Sequence, residues 1–191
     1  QGTVVGCNHA LENGIAFNIA GGTHHAFSDR GEAFCLLNDQ AIAAQYLINQ
    51  KKCHKILIVD LDVHQGNGTA EIFQNNADVI TFSMHGQSNY PFRKETSDYD
   101  IALPDKTDDT TYLSILQETL PELLNIHRPD FVFYLAGVDI LGTDKLGKLG
   151  CTLEGCKTRD SYVLGLCKSL GIPVQVSMGG GYSPAIKTII E

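Results

Sequence analysis

Short apolar runs rich in β-branched and aromatic residues recur along the chain and alternate with segments of helical periodicity. The apolar runs predict strands at residues 55–60, 78–83, 131–137 and 173–178. Apolar side chains three or four positions apart predict helices at residues 38–50, 69–75, 109–126 and 154–170. Alternating strands and helices indicate parallel strands joined by right-handed crossovers.

The predicted strands are apolar almost throughout, as in KILIVD, FVFYLAG and PVQVSM. Such strands are typical of a sheet covered on both faces, so we predict an α/β fold with an open parallel sheet and helices on both faces. Residues 87–108 carry two prolines and several charges and are predicted to form a long loop across one end of the sheet. With no internal repeat or linker, residues 1–191 are interpreted as a single domain.

Composition narrows the functional classes. A chain of 191 residues with 43% hydrophobic side chains can bury a core. The net charge of −8 argues against direct nucleic-acid binding, whereas it is compatible with a cationic substrate such as a lysine-rich tail or a polyamine. No apolar stretch is long enough to span a membrane and no signal-peptide pattern is present, which predicts a cytoplasmic, or in a eukaryote possible nuclear, location.

The six cysteines form no CxxC pair and match no zinc-finger spacing. Several of them lie within apolar runs. We therefore expect reduced thiols that are buried or half-buried.

Polar residues cluster where predicted strands end, and ligands of open parallel sheets bind at that edge. Asp62 and His64 are two apart, so their side chains leave one face and can close on a metal ion, with Asp139 as the third ligand. One histidine and two carboxylates leave a position for water, as in catalytic zinc sites. The alternative for an isolated DxH is an ordinary strand end.

Four further groups are candidates for chemistry around that site. Asp60 shares the strand face of Asp62 and could accept a histidine N–H, or form an ion pair with a cationic side chain. Asn67, in a Gly-Asn-Gly turn, could orient a histidine or serve the turn alone. The adjacent His24 and His25 could act as acid and base. Tyr182, after three glycines, could donate its phenol to a polarised carbonyl or lie on the surface.

The runs GGTHHAFSDRGEAFCLLND, DLDVHQGNGT, LAGVDILGTDKLG and MGGGY occur in this order. Together they resemble the zinc-dependent histone deacetylase superfamily, with its arginase/deacetylase-like fold. The resemblance covers the chain from about residue 14, and the SDRG, HQGNG and LGKL segments are most like class IV deacetylases and their bacterial relatives.

The resemblance implies a role for each matching residue. Zinc would be held by Asp62, His64 and Asp139. His25 would be the general base and acid, oriented by Asn67, and His24 its electrostatic partner, oriented by Asp60. Tyr182 would bind the substrate carbonyl. A monovalent cation, usually potassium, would be surrounded by Asp60, Asp62, His64, Ser83 and Met84. The acyl-lysine channel would be formed by Ala33, Phe34, Tyr90, Leu146, Gly180 and Gly181.

Two departures from the family pattern qualify these expectations. Ala33 replaces a glycine of most relatives, and its methyl group is expected to alter acyl or substrate preference. The upstream segment of family members, which supplies the first strands of the sheet, is not seen before Gln1. Residues 1–191 are therefore expected to be a partial catalytic domain that an upstream segment or another chain completes.

The activity expected from the resemblance is hydrolysis of acetyl or longer fatty-acyl groups from lysine side chains of histones or other proteins. An acetylpolyamine or another small amide is an alternative substrate. A non-catalytic module that binds acyl-lysine or a partner is a second alternative. A binuclear arginase-like hydrolase ranks third, because the sequence lacks a second DxHxD-type cluster. Among the other histidines, His85 could reach the cleft, and His9, His54 and His127 are expected at the surface.

Overall fold

A six-stranded sheet organises the computed structural model, which describes residues 1–190. Its strands are β1 (Ile15–Asn18), β2 (Ile56–Asp60), β3 (Val79–Gly86), β4 (Tyr99–Leu103), β5 (Phe131–Leu135) and β6 (Val174–Ser177). The order is β1-β6-β5-β2-β3-β4, and every neighbouring pair is parallel. The carboxyl ends of all strands therefore lie at one edge of the sheet.

The helices are α1 (Gly2–Asn13), α2 (Asp39–Asn49), α3 (Asn67–Phe73), α4 (Asp109–His127), α5 (Leu153–Leu170) and α6 (Ile186–Ile190). Side chains cap three of them at the N-terminus and so set where they begin. Asn38 accepts from the backbone N–H of Ala41, Asp108 from that of Thr111, and Thr152 from that of Gly155. No helix among residues 1–190 has the length and apolar character needed to cross a bilayer.

Two apolar cores cover the two faces of the sheet, and successive residues of β2 point alternately into them. Leu57 and Val59 belong to the core that contains the buried faces of α4 and α5. Ile56 and Ile58 belong to the other core, with residues of α1 and α2. Burial on both faces explains why the central strands are continuously apolar.

The α/β fold with an open parallel sheet is confirmed, and each predicted strand and helix is present with ends shifted by a few residues. The prediction of a continuous loop over residues 87–108 is wrong, because β4 lies within it. This edge strand alternates half-buried and exposed residues up to the buried Leu103, and its sequence YDIAL is less apolar than those of the central strands. The helix α1 and the strand β1 were also missed. Their small, mixed residues give weak helix and strand signals.

Candidate active site

The carboxyl edge of the sheet brings together residues that are far apart in sequence. Asp60 ends β2 and lies opposite Leu135 of β5 and Ser83 of β3 in the sheet register. Because these strands end at one level, the residues that follow β2 and β5 meet just beyond the edge. The segment after β6 approaches from the next strand, and Gly180 accepts a backbone hydrogen bond from Val138.

Asp62, His64 and Asp139 form a compact group, in which one donor atom from each residue lies within 4.8 Å of the others. His64 Nδ1 is 3.0 Å from Asp62 Oδ1 and 3.1 Å from Asp139 Oδ2. The Val63 N–H donates to Asp139 Oδ1 at 3.0 Å, and the His64 N–H donates to Asp62 Oδ1 at 2.9 Å. Asp139 Oδ2 is fully buried and, within the described residues, has no hydrogen bond of good geometry. Burying a charged oxygen costs free energy unless it is paired, so a cation bound beside Asp139 Oδ2 would stabilise it.

Glycines surround these carboxylates because there is no room for side chains. A Cβ on Gly180 would overlap Asp139 Oδ2, and a Cβ on Gly137 would lie 2.5 Å from Asp62 Oδ2. The Gly180 N–H donates to Asp62 Oδ2 at 2.6 Å. The glycine-rich segment after β6 therefore allows its backbone to contact the carboxylates directly.

The charges of this group are strongly coupled. Burial raises the pKa of the Asp139 carboxyl, and the neighbouring Asp62 raises it further, to about 7. Burial also opposes ionisation of Asp62, but the imidazoles of His24 and His64 outweigh burial and lower its pKa. Burial lowers the pKa of His64, whereas hydrogen bonds to Asp139 and Asp62 outweigh that effect and raise it to about 10. Two carboxylates thus compete for one imidazolium, a balance that a divalent cation would relieve.

The paired histidines lie beside this group and have different partners. His24 Nδ1 is 2.7 Å from Asp60 Oδ2, and His25 Nδ1 is 2.7 Å from Asn67 Oδ1. The two rings are 4.1 Å apart between centroids, and the ring of His25 lies 6.0 Å from that of His64. Both histidines are therefore fixed through Nδ1.

The pKa values of the two histidines diverge. Burial lowers the pKa of His24, but the carboxylates of Asp60 and Asp62 outweigh it and raise it to about 9. Burial and the charge of His24 lower the pKa of His25 to about 3. The hydrogen bond to Asn67 raises this pKa, but by less than burial and His24 lower it. Near neutral pH, His24 carries a positive charge and His25 is neutral. Of the two histidines, His25 is therefore the one with a free lone pair that can accept a proton.

A cleft of about 470 Å³ opens onto these groups. His24, His25, Asp62 and His64 line its base, and it lies at the carboxyl edge where open α/β sheets bind ligands. Of the predicted channel residues, the lining includes Ala33, Phe34, Tyr90, Leu146 and Gly180. Gly181 is outside it and faces Val138.

Aromatic side chains form the walls of the cleft. The ring of Tyr90 stands edge-on to His25, with centroids 5.0 Å apart. Phe34 is 80% exposed, and its ring centroid lies 6.1 Å from that of Tyr182. Tyr182 is 37% exposed, and burial together with Asp62 and Asp139 raises the pKa of its phenol. The phenol therefore remains protonated and can donate a hydrogen bond.

Comparison with known proteins identifies the family. The sequence profile of the histone deacetylase domain matches residues 1–190. This chain belongs to the histone deacetylase family. The match begins at residue 1 and so extends the resemblance through α1 and β1.

Histone deacetylase 2 of Arabidopsis thaliana is 31% identical over 99% of this chain and 50% of its own length. Histone deacetylase RPD3 of Saccharomyces cerevisiae is 33% identical over 88% of this chain and 40% of its own length. An uncharacterized protein of Picosynechococcus sp. is 49% identical over 99% of this chain and 63% of its own length. The chain thus spans about two fifths to two thirds of the length of these relatives.

A solved structure of the same family has the same fold. The crystal structure of the HDA15 HD domain aligns with 98% of this chain and 58% of its own length, with a TM-score of 0.80 and 28% sequence identity. The sheet and the edge described above are therefore those of a deacetylase domain.

Several predicted positions lie away from the cleft. His85 is buried, with Nδ1 3.0 Å from Ser83 Oγ, and does not line the cleft. His9 and His54 are exposed as predicted, whereas His127 is half-buried with its ring nitrogen 2.8 Å from the hydroxyl of Tyr99. All six cysteines are buried and free, as expected.

Two charged residues that sequence reasoning did not single out contact the site from behind. Glu32 accepts hydrogen bonds from Asn67 and Tyr90. Arg159, on α5, is fully buried and donates to the backbone carbonyls of Leu61 and Gly137, close to Asp62 and Asp139. The signal for Arg159 was a cation on the apolar face of a predicted helix, and the signal for Glu32 was an acidic residue inside the GEAF turn.

Proposed function

We propose that this chain forms a zinc-dependent deacylase site that removes an acetyl or longer acyl group from lysine side chains of histones or other proteins. One observation carries the proposal: within the cluster of Asp62, His64 and Asp139, the first two line the same cleft as the neutral His25. The names of the Arabidopsis and yeast relatives support histones as substrates.

The donor set fits zinc. One imidazole and two carboxylates leave positions for water and substrate, and a cation would satisfy the buried Asp139 Oδ2, whose one close contact among the described residues is with His64 Nδ1. When bound, zinc would polarise the substrate carbonyl and lower the pKa of water. Asp62, His64 and Asp139 would hold it.

His25 would take a proton from the attacking water and return one to the lysine amine. Its Nδ1 is engaged by Asn67, which leaves Nε2 as the basic atom. His24, held by Asp60, would stay protonated and supply positive charge next to the developing negative charge.

Tyr182 would donate its phenol to the carbonyl oxygen as negative charge develops there. Such a donor contributes more in the transition state than in the ground state. The Tyr182 N–H donates to Asp144 Oδ2 at 2.5 Å, and this hydrogen bond holds the residue in position.

The apolar walls at Phe34, Tyr90 and Leu146 would pack along the lysine methylene chain and the acyl group. The methyl group of Ala33 projects from the same lining and would tune acyl preference. The net charge of −8 favours cationic substrates.

A potassium site behind the histidine pair is a further part of the proposal. Asp60 and Ser83 are register partners and line an internal cavity of about 10 Å³. Met84, also predicted to contribute, is fully buried in the same strand. A monovalent cation there would help to offset the negative charge of Asp60 and Asp62.

Turnover of fluorogenic acyl-lysine peptides of graded acyl length, with zinc supplied, tests this function. We expect hydrolysis that His25→Ala abolishes and that Tyr182→Phe slows by about 3 kcal/mol of barrier, with little change in binding. Zinc content measured in parallel separates a deacylase from a binding module. Absence of both zinc and turnover in the intact chain would favour the module.

A further inference from the structure

One acidic side chain contacts both of the residues that flank His25, the proposed catalytic base. Glu32 Oε1 accepts a hydrogen bond from Asn67 Nδ2 at 2.8 Å and another from the Tyr90 hydroxyl at 2.6 Å. Asn67 contacts His25 Nδ1 through Oδ1, and the Tyr90 ring stands edge-on to the same imidazole. Glu32 thus lies one residue away from His25 along two separate paths.

The turn that carries Glu32 fixes its position. The backbone N–H and carbonyl of Glu32 exchange two hydrogen bonds with those of Cys35, each 2.9 Å long. The other carboxylate oxygen, Oε2, lies 3.6 Å from the guanidinium of Arg30. The carboxylate is therefore held in place behind Asn67 and Tyr90.

The chemistry of the three polar groups permits only one arrangement of protons. An ionised carboxylate only accepts, so Asn67 must present its NH₂ group to Glu32. Its carbonyl oxygen then faces His25 Nδ1, which must carry the ring proton. Nε2 is left with a lone pair directed toward the cleft, as a general base requires.

Without Glu32, the Asn67 amide would lose the hydrogen-bond acceptor that fixes its orientation. The two ends of a carboxamide have nearly the same shape, and the flipped amide would donate its NH₂ group to His25 Nδ1. That arrangement moves the imidazole proton to Nε2, and the lone pair then points away from the cleft. An asparagine that orients the base therefore needs a hydrogen-bond acceptor for its own NH₂ group.

We propose that Glu32 is a positioning residue that sets the tautomer of His25 by fixing the orientation of the Asn67 amide. The proposal rests on the assigned role of His25 as base. Through its second hydrogen bond, the same carboxylate also holds the Tyr90 ring against the imidazole.

The direct test is the ¹⁵N NMR spectrum of the imidazoles in the 191-residue chain near neutral pH, with the His25 signals assigned from a His25→Ala spectrum. The wild-type chain should show His25 protonated at Nδ1. Glu32→Ala should move a large share of the proton to Nε2. Glu32→Lys, which presents only donors to Asn67, should do the same. Glu32 is 28% exposed in its side chain, so the fold should tolerate both changes.

Asp29→Ala is the matched control, because Asp29 is an exposed acidic residue three positions earlier whose contact is with Arg30. It should leave the His25 spectrum unchanged. The proposal is overturned if His25 keeps its proton on Nδ1 in both Glu32 variants. This readout needs no turnover, so it decides the role of Glu32 even if the chain is not a deacylase.

A rescue experiment separates tautomer control from support of the turn. Aspartate at position 67 accepts through both oxygens, so it needs no partner to orient it. Glu32→Ala should therefore reduce kcat about 10- to 100-fold in the wild-type background, with KM changed less, but cost nothing in an Asn67→Asp background. Asn67→Asp with Glu32 intact should be impaired, because two carboxylates would then face each other at the 2.8 Å contact. Equal losses from Glu32→Ala in both backgrounds would show that Glu32 only supports the turn.

Discussion

The guanidinium of Arg159 donates a 2.6 Å hydrogen bond to the backbone carbonyl of Gly137, two residues before Asp139. A second bond of 3.2 Å reaches the carbonyl of Leu61, next to Asp62. One buried cation on α5 thus ties together the ends of β2 and β5, each of which carries a ligand of the proposed metal site.

Replacing this cation should destabilise the fold. Arg159→Met leaves two buried carbonyls without a donor, and each unsatisfied group costs about 1–3 kcal/mol. We expect the free energy of unfolding, measured with urea, to fall by roughly 2–5 kcal/mol. Lys157→Met on the exposed face of the same helix is the control and should change it by less than about 0.5 kcal/mol. Equal stability of the two variants would refute the bracing role.

Removing one carboxylate of the proposed metal site should have opposite effects on metal binding and on metal-free stability. Asp139→Asn removes a ligand, so bound zinc measured by elemental analysis should be lost. In chelator, however, the variant should unfold at a higher temperature than the wild-type chain near pH 8, because it lacks a buried charge that Asp62 repels. Exposed Asp105→Asn should change neither quantity.

The metal-free advantage of Asp139→Asn should depend on pH. Folding raises the pKa of Asp139 from its ordinary value of 3.8 to about 7, so the folded chain holds this proton more tightly than the unfolded chain does. The Asp139 carboxyl therefore contributes a loss of stability as pH rises from about 4 to 7, and the variant lacks this contribution. Thermal melts in chelator at pH 5 and 8 check this, and a constant difference between the two chains would contradict it.

Ala33 should be a strained residue in the rim of the cleft. Its φ of 50° lies in the left-handed region, which costs an L-residue about 1–2 kcal/mol, while glycine enters it freely. Ala33→Gly should raise the free energy of unfolding by roughly 0.5–1 kcal/mol after the greater flexibility of glycine in the unfolded chain is subtracted. Ala77→Gly, at an exposed bend without positive φ, should instead lower it. The sign difference between the two variants is the measurement that decides.

The six cysteines should resist alkylation in the folded chain. Burial raises the pKa of Cys53 and Cys151 to about 12, so the thiolate that reacts is scarce at neutral pH. We expect iodoacetamide to label Cys35 first, because it lines the cleft, and to label the other five cysteines only after unfolding. Peptide mass spectrometry gives the order, and Cys35→Ser is the control. Rapid native labelling of Cys53 would contradict the burial.

The central strands and the grouping of Asp62, His64 and Asp139 could be predicted because both follow from local patterns. An apolar run marks a strand buried on both faces, and a parallel sheet sends every residue that follows such a run to one edge. The pairing of His24 with Asp60 depended on the family resemblance, since nothing in the sequence spacing brings these two residues together. The same is true of His25 and Asn67.

Other features depend on three-dimensional contacts that have no local signal. Arg159 reaches a carbonyl 98 positions earlier in the chain, and Glu32 meets Tyr90 across 58 positions. The edge strand β4 is stabilised by its pairing with β3 rather than by its own apolar content. Sequence pattern predicted the frame of the site, and tertiary contacts supply the residues that hold it.

The register of β2 against β5 has a consequence for folding. The Val63 N–H and Asp139, joined by a hydrogen bond, are 76 positions apart, and they meet only after both strands are paired at the correct level. A slip of one residue would turn the ligand side chains to the opposite face of the sheet. A metal ion at this site would therefore bind and stabilise only the native state, in which both strands are paired in register. It should slow unfolding far more than it speeds folding.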